Sequence, residues 1–119
     1  MTADPGTLDD EQFCYLTTIG RVTGRPHEIE IWFSLDANTL YMLSDSHSSD
    51  WVENLRHTPE VTVRIAGEQF EGSARVVEDG EEDELARRLL VEKYEPGYGN
   101  LSNWRSTALP VAVDLTRPR

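Results

Sequence analysis

Two short stretches of this chain set charges, hydroxyls and flat rings close enough together to hold an anionic ligand. Gly20-Arg21-Val22-Thr23-Gly24-Arg25-Pro26 places two arginines in a turn whose glycines allow left-handed backbone and whose Pro26 fixes the exit. Guanidinium forks beside exposed N–H groups suit a phosphate or carboxylate. An arginine-bearing hairpin is also a common solvated turn. In the second stretch, Ser44 to Trp51, hydroxyls precede Asp50-Trp51-Val52-Glu53, which has the Asp-x-x-Glu form of a capping box. Free amides at a helix start favour an anion, and Trp51 offers a platform for a ring. The same letters also describe an N-capped helix with Trp51 in the core. Both readings stay open at this level.

Other chemistries find less support. Ser46, His47 and Asp50 carry the letters of a hydrolase triad, but neighbours on one loop point apart, whereas triad members converge from different elements. His27, His47 and His57 show no i, i+4 pairing, so no metal site is expected. Glu28 and Glu30 share a strand face, and a solvent-facing side explains them more simply than a carboxylate pair. The single Cys14 excludes an internal disulfide and agrees with a reducing cytoplasm.

The formal net charge is −11, and it is unevenly spread. Residues 1–11 hold Asp4, Asp9, Asp10 and Glu11, and residues 78–84 hold six acids, so two short segments account for most of the charge. An acidic chain is a poor partner for nucleic acid, which needs several cations to neutralise phosphates. A small anion held by a few local arginines is still allowed. No apolar run approaches the ~20 residues a membrane helix needs. Met1 to Gly6 lacks the basic and apolar regions of a secretion signal, so a cytoplasmic location is expected.

The elements that must position these residues follow from periodicity. An acidic arm over 1–12, with a short helix started by Thr7, precedes one domain over 13–119 of the 119 residues. Strands are expected at Phe13–Ile19, His27–Leu35, Thr39–Leu43, Val61–Ile65, Gln69–Val77 and Leu109–Leu115. In the second, Ile29, Ile31 and Phe33 share one face, with Glu28, Glu30 and Trp32 on the other. A short helix over about Trp51 to Arg56 follows the third strand, stopped before Pro59. A longer one runs from about Asp79 to Tyr94, with acids in its first turn and Leu85, Leu89 and Leu90 in its apolar stripe. Glu95 to Asn100 reads as a loop. The fold class is therefore α+β, an antiparallel six-stranded sheet with a short helix after strand three and a longer helix before the last. Closing the sheet into a barrel would remove exposed edges.

Ile19 to His27, Glu30 to Phe33, and Trp51 to Val61 together resemble the deazaflavin-dependent nitroreductase and quinone reductase family. That family lies in the split β-barrel flavin-binding superfamily, which includes pyridoxamine phosphate oxidases. Tyr94 to Asp114 is similar as well, so the resemblance covers roughly 13–115. It implies a six-stranded split β-barrel, and a homodimer is the assembly it suggests. It implies the 8-hydroxy-5-deazaflavin coenzyme F420, with its phosphate-bearing tail on Arg21, Arg25, Ser44, Ser46 and His47. The ring would lie near Ile31, Trp32, Ser49, Asp50, Trp51 and Asn54, and Tyr94 and Tyr98 match the region lining the acceptor in relatives, where a tyrosine hydroxyl or a bound water could return a proton. The implied reaction is hydride transfer to a quinone, nitro compound or activated alkene. An FMN-dependent oxidase or reductase of the same fold, and a non-catalytic flavin- or deazaflavin-binding module, are the alternatives. Asp45 departs from the family pattern by setting an acid beside the tail.

Overall fold

The computed structural model describes residues 8–118. Its strands are β1 (Cys14–Ile19), β2 (Pro26–Ile31), β3 (Ser34–Asp36), β4 (Thr39–Ser44), β5 (Glu60–Ile65), β6 (Glu68–Val76) and β7 (Leu109–Pro118). Helix α1 (Asp50–His57) follows β4, and α2 (Gly80–Tyr98) and α3 (Ser102–Thr107) lie between β6 and β7. All pairings are antiparallel, in one sheet of order β2-β1-β5-β6-β7-β4-β3. The α+β class and both expected helices are present. The strand count is seven rather than six, and the ladder is open rather than closed into a barrel.

One break accounts for the extra strand. The expected strand His27–Leu35 divides at Trp32 and Phe33, leaving β2 on one edge of the sheet and β3 on the other. The chain thus passes from edge to edge through a two-residue corner, which brings the two edges together without ladder bonds. Phe33 is fully buried there, and buried peptide groups need partners. Its N–H donates to the Tyr94 hydroxyl at 3.0 Å, and its carbonyl accepts from Lys93 Nζ at 2.8 Å and from the same hydroxyl at 3.1 Å. The Tyr94 hydroxyl also reaches the Gln12 carbonyl at 2.6 Å. Side chains of α2 therefore satisfy the peptide that a neighbouring strand would otherwise serve.

Two apolar clusters lie on opposite faces of β4 and β7. Leu40, Met42, Val111 and Val113 face one cluster, which α1 covers with Val52 and Leu55. Tyr41, Leu43 and Ala112 face the other, which α2 covers with Ala86, Leu90 and Tyr94. Burial on both sides explains why Leu40-Tyr41-Met42-Leu43 shows no polar alternation. Of the expected acidic arm, residues 1–7, including Thr7, lie outside the described residues. Leu8 belongs to the first cluster, and the Asp9 carboxylate accepts the Leu35 N–H at 2.8 Å.

The helix ends differ from expectation in three places. Ser49, not Asp50, is the N-cap of α1 and makes no side-chain cap, so the capping box does not form; the Asp50 carboxylate pairs with Arg21 instead. Helix α2 runs through Pro96 to Tyr98, ending at Gly99 with φ 84°, where a loop was expected. The Tyr98 ring packs 4.6 Å from Trp32, which holds that last turn down. Helix α3 was not anticipated; Glu95 Oε2 and Asn100 Oδ1 accept the Leu101 and Ser102 N–H groups and set its start. No described helix is long and apolar enough to cross a membrane.

Arg75 on β6 ties α2 to the sheet. Its guanidinium donates to Glu82 at 2.6 and 2.8 Å and to Asp114 at 2.7 and 3.1 Å, and Glu82 also accepts from the Tyr41 hydroxyl at 2.8 Å. The Arg75 hydrogen bonds hold both carboxyls below their ordinary values of 4.5 and 3.8. The stabilisation is therefore complete above about pH 5 and is lost as the pH falls through the depressed values. Arg75→Met should cost about 1 kcal/mol at neutral pH, since the groups are partly exposed. In denaturant titrations its stability should converge on the wild type only once the pH has fallen below the depressed values of both carboxyls. At the corner, Tyr94→Phe orphans the Phe33 N–H and should cost about 1–3 kcal/mol by the same measurement.

Candidate functional site

The β1–β2 turn folds back on itself and meets the first turn of α1. The Gly20 N–H donates to Arg25 O at 2.8 Å, the Gly24 N–H to Gly20 O at 2.9 Å, and Gly24 takes φ 73°. A Cβ at Gly20 would lie 2.8 Å from Nε2 of the exposed His27 ring, so a larger residue there would have to push that side chain aside. The turn delivers Arg21 to α1, where Asn54 Oδ1 accepts its backbone N–H at 3.1 Å and its Nη1 at 2.8 Å. Asn54 is buried, and its Nδ2 donates to the buried Thr18 hydroxyl at 3.3 Å. One amide thus joins β1, the turn and α1, and its two ends are distinguished by their partners.

A groove of about 460 Å³ lies at this junction, lined by Thr18, Arg21, His27, Asp50, Trp51 and Asn54 among others. Arg21 is its arginine, and Asp50 Oδ1 lies 3.2 Å from Nη2. Glu28 also lines it and is paired with Arg64 at 3.3 Å. Ser49 gives no side-chain cap, so the first-turn N–H groups of α1 are left to water or a ligand. A guanidinium beside such N–H groups fits an anionic tail.

A second groove of about 680 Å³ adjoins the first, with Trp51 as the wall between them. All three tryptophans of the chain, Trp32, Trp51 and Trp104, line it, with Phe13, Ile31 and Leu43. Trp32 stacks on Tyr94 with centroids 4.2 Å apart and planes 3° from parallel, and Trp104 meets Trp32 edge-on at 5.6 Å. The polar side is the loop after β4. Ser44 Oγ donates to Ser46 O at 2.6 Å and lies 3.0 Å from Ser49 Oγ, and Asp45 is in the same lining. Flat apolar walls with a few fixed polar groups suit a ring system and a flat second molecule.

The expected residues therefore separate into sets. Arg21, Asp50 and Asn54 meet in the first groove, and Ile31, Trp32, Ser44, Ser46 and Ser49 in the second, with Trp51 in both. Trp51 also packs against the main core, so its two readings are compatible. Arg25 and His47 line neither groove; His47 Nε2 lies 3.0 Å from Thr107 O and joins the loop to α3. Tyr94 is 3% exposed, its hydroxyl is engaged by Phe33 and Gln12, and burial pushes its pKa up. Tyr98 lines a separate hollow of about 270 Å³ with Asp9, Asp10 and Lys93. Trp104, Leu101 and Phe13 were not anticipated in the site. The two on the α3 side depend on a six-residue helix whose only local signal is Asn100 before Ser102.

Among similar solved structures is a conserved hypothetical protein from Mycobacterium tuberculosis, 21% identical, covering 100% of this chain and 84% of its own, at a TM-score of 0.78. An F420 reductase is 14% identical over 100% of this chain and 98% of its own, at a TM-score of 0.71. A domain-swapped dimer is 21% identical over 86% of this chain and 79% of its own, also at 0.71. These likenesses concern the fold. The family model for F420H2-dependent quinone reductase matches residues 4–116, nearly the whole chain. The chain belongs to the F420H2-dependent quinone reductase family, deazaflavin-dependent oxidoreductases whose coenzyme is F420.

Proposed function

We propose that the protein reduces a quinone with reduced F420, holding the coenzyme ring in the tryptophan-lined groove and its anionic tail at Arg21. The observation that carries this reading is that Trp51 walls both grooves. A ligand with a flat ring joined to a charged tail can lie across that wall with each part against matching chemistry. The larger groove has the volume for a ring and an acceptor in contact.

When bound, reduced F420 supplies a hydride, and the acceptor's second hydrogen arrives as a proton. The chain's part is to hold, orient and dry the reactants. Trp32 and Trp104, already in contact with each other, and Trp51 form rigid walls that restrict the ring and exclude water from its faces. The linked hydroxyls of Ser44 and Ser49 at 3.0 Å give the polar edge of the groove a fixed direction. Arg21, oriented by Asn54, is the tail's positive partner. Tyr94 is a positioning residue, since its hydroxyl serves Phe33 and its ring supports Trp32. The proton then comes from solvent at the groove mouth. Leu43, Leu101 and Phe13 favour an apolar, flat acceptor, the character of a quinone. The expected homodimer belongs with this reading and is supported by the domain-swapped dimer among the similar structures. Light scattering decides it, since a mass near 13.5 kDa removes it.

Tryptophan fluorescence follows binding directly, because every tryptophan lines the ring groove. Titration with F420 should quench this emission, while FMN in parallel should do so only at far higher concentration. Arg21→Ala should weaken F420 binding about tenfold, the range of one charge-assisted contact. It should leave the maximal rate of quinone reduction within about twofold, as expected for a residue remote from the ring. Equal affinity for FMN would overturn the coenzyme assignment, and unchanged F420 affinity would remove Arg21 from the tail site.

A further inference from the structure

Arg21 is held from two sides by groups of different character. On the inner side Asn54, neutral and 5% exposed, takes both its backbone N–H and Nη1. On the outer side stands Asp50, whose side chain is 91% exposed, with Oδ1 3.2 Å from Nη2 and its own carbonyl 3.4 Å from Nη1. This carboxylate has no evident duty to the fold. It does not cap α1, whose N-cap is Ser49, and Arg21 is already oriented by Asn54. Its acid at the helix start contributes a few tenths of a kcal/mol at most at such exposure, as does a second acid there, Glu53. Its clear effect is to cancel the charge of the groove's arginine on the side open to a ligand.

We propose that Asp50 is a specificity-determining residue that antagonises the binding of phosphate-bearing ligands at Arg21. The proposal rests on the reading of Arg21 as the tail's partner. An anionic tail reaching Arg21 either displaces the carboxylate or lies beside it, and meets a like charge in both cases. A ligand with the same ring and no phosphate does not meet that repulsion. Asp50 therefore narrows the affinity gap between the full coenzyme and its uncharged ring-bearing fragment, and keeps the tail exchangeable. The charged neighbour that sequence alone pointed to was Asp45, but Asp45 lines the ring groove, and Asp50 is the acid in contact with Arg21. The effect is exposed to solvent and so depends on ionic strength, with a screening length of about 8 Å at physiological salt.

The test titrates the full chain with F420 and with the phosphate-free deazaflavin riboside, in wild type, Asp50→Asn, Asp50→Ser and Arg21→Ala. Asn keeps the shape of Asp, and Ser suits a helix start, so two neutral variants guard against a local folding fault in either. At low salt both neutral variants should bind F420 about two- to fivefold more tightly than wild type, the size of one exposed like-charge contact. The difference should shrink markedly at about 0.5 M salt, where the screening length is roughly 4 Å. Riboside affinity should be the same in wild type and both variants. If both variants bind F420 no better than wild type while Arg21→Ala binds it worse, Asp50 has no antagonistic role and the tail assignment stands. If they tighten the riboside equally, the effect is not electrostatic and the proposal fails. If Arg21→Ala leaves F420 affinity unchanged, the tail assignment itself fails and the proposal falls with it.

Discussion

The passage of the chain through Trp32 and Phe33 is the constraint on which the sheet, the α2 docking and the ring groove all depend. A peptide leaving one sheet edge for the opposite one has no neighbouring strand to bond, and Phe33 is buried where water cannot serve it. Burying an unpaired amide costs several kcal/mol, so the fold needs a donor and an acceptor at that point. Tyr94 and Lys93 supply them from one turn of α2. Burial lowers the Lys93 pKa and Asp9 opposes that, an arrangement held because the ammonium also sits 3.8 Å over the Phe33 ring. The same corner turns Trp32 out of the ladder and onto Tyr94, against which it forms the floor of the tryptophan groove. Site and scaffold thus share one device.

The groove at Arg21 rests on a different arrangement. A single buried amide, Asn54, joins three elements and directs Arg21, while the groove's acids are each engaged or exposed. Glu28 pairs with Arg64, and Asp50 meets Arg21 itself. A chain with formal charge −11 can therefore present a usable cation, because the acids of 78–84 lie at the start of α2, which packs on a different apolar cluster from the α1 that holds Arg21. Net charge is a guide to nucleic-acid binding and a poor guide to one guanidinium.

How much of this was legible varied with the range of the interactions. The β1–β2 turn, the strands and the amphipathic α2 depend on neighbours within a few residues, and Gly20, Gly24, Pro26 and the leucine spacing carry them. The family resemblance of Ile19–His27 and Trp51–Val61 pointed to the right coenzyme class. The break at Phe33 was hidden because its alternation with Ile29 and Ile31 is that of an unbroken strand, and its real partners lie some 60 residues away. Asp50 read as a cap because Asp-x-x-Glu is a local pattern, yet Arg21, 29 residues earlier, takes its carboxylate. Glu95 to Asn100 read as a loop, although the aromatic contact of Tyr98 with Trp32 retains the last helical turn. Tyr94 matched a region associated with the acceptor, and its burial against the corner becomes visible only in three dimensions.

The proposed function turns on one coenzyme lying across Trp51, with its ring among the tryptophans and its tail at Arg21. A crystal structure of the complex with F420 measures that directly. The expected result is ring density against Trp32 and Trp104 and tail phosphate density within contact of the Arg21 guanidinium. A tail running instead to the hollow of Lys93 and Tyr98, or a ring on the Arg21 side of Trp51, would contradict it.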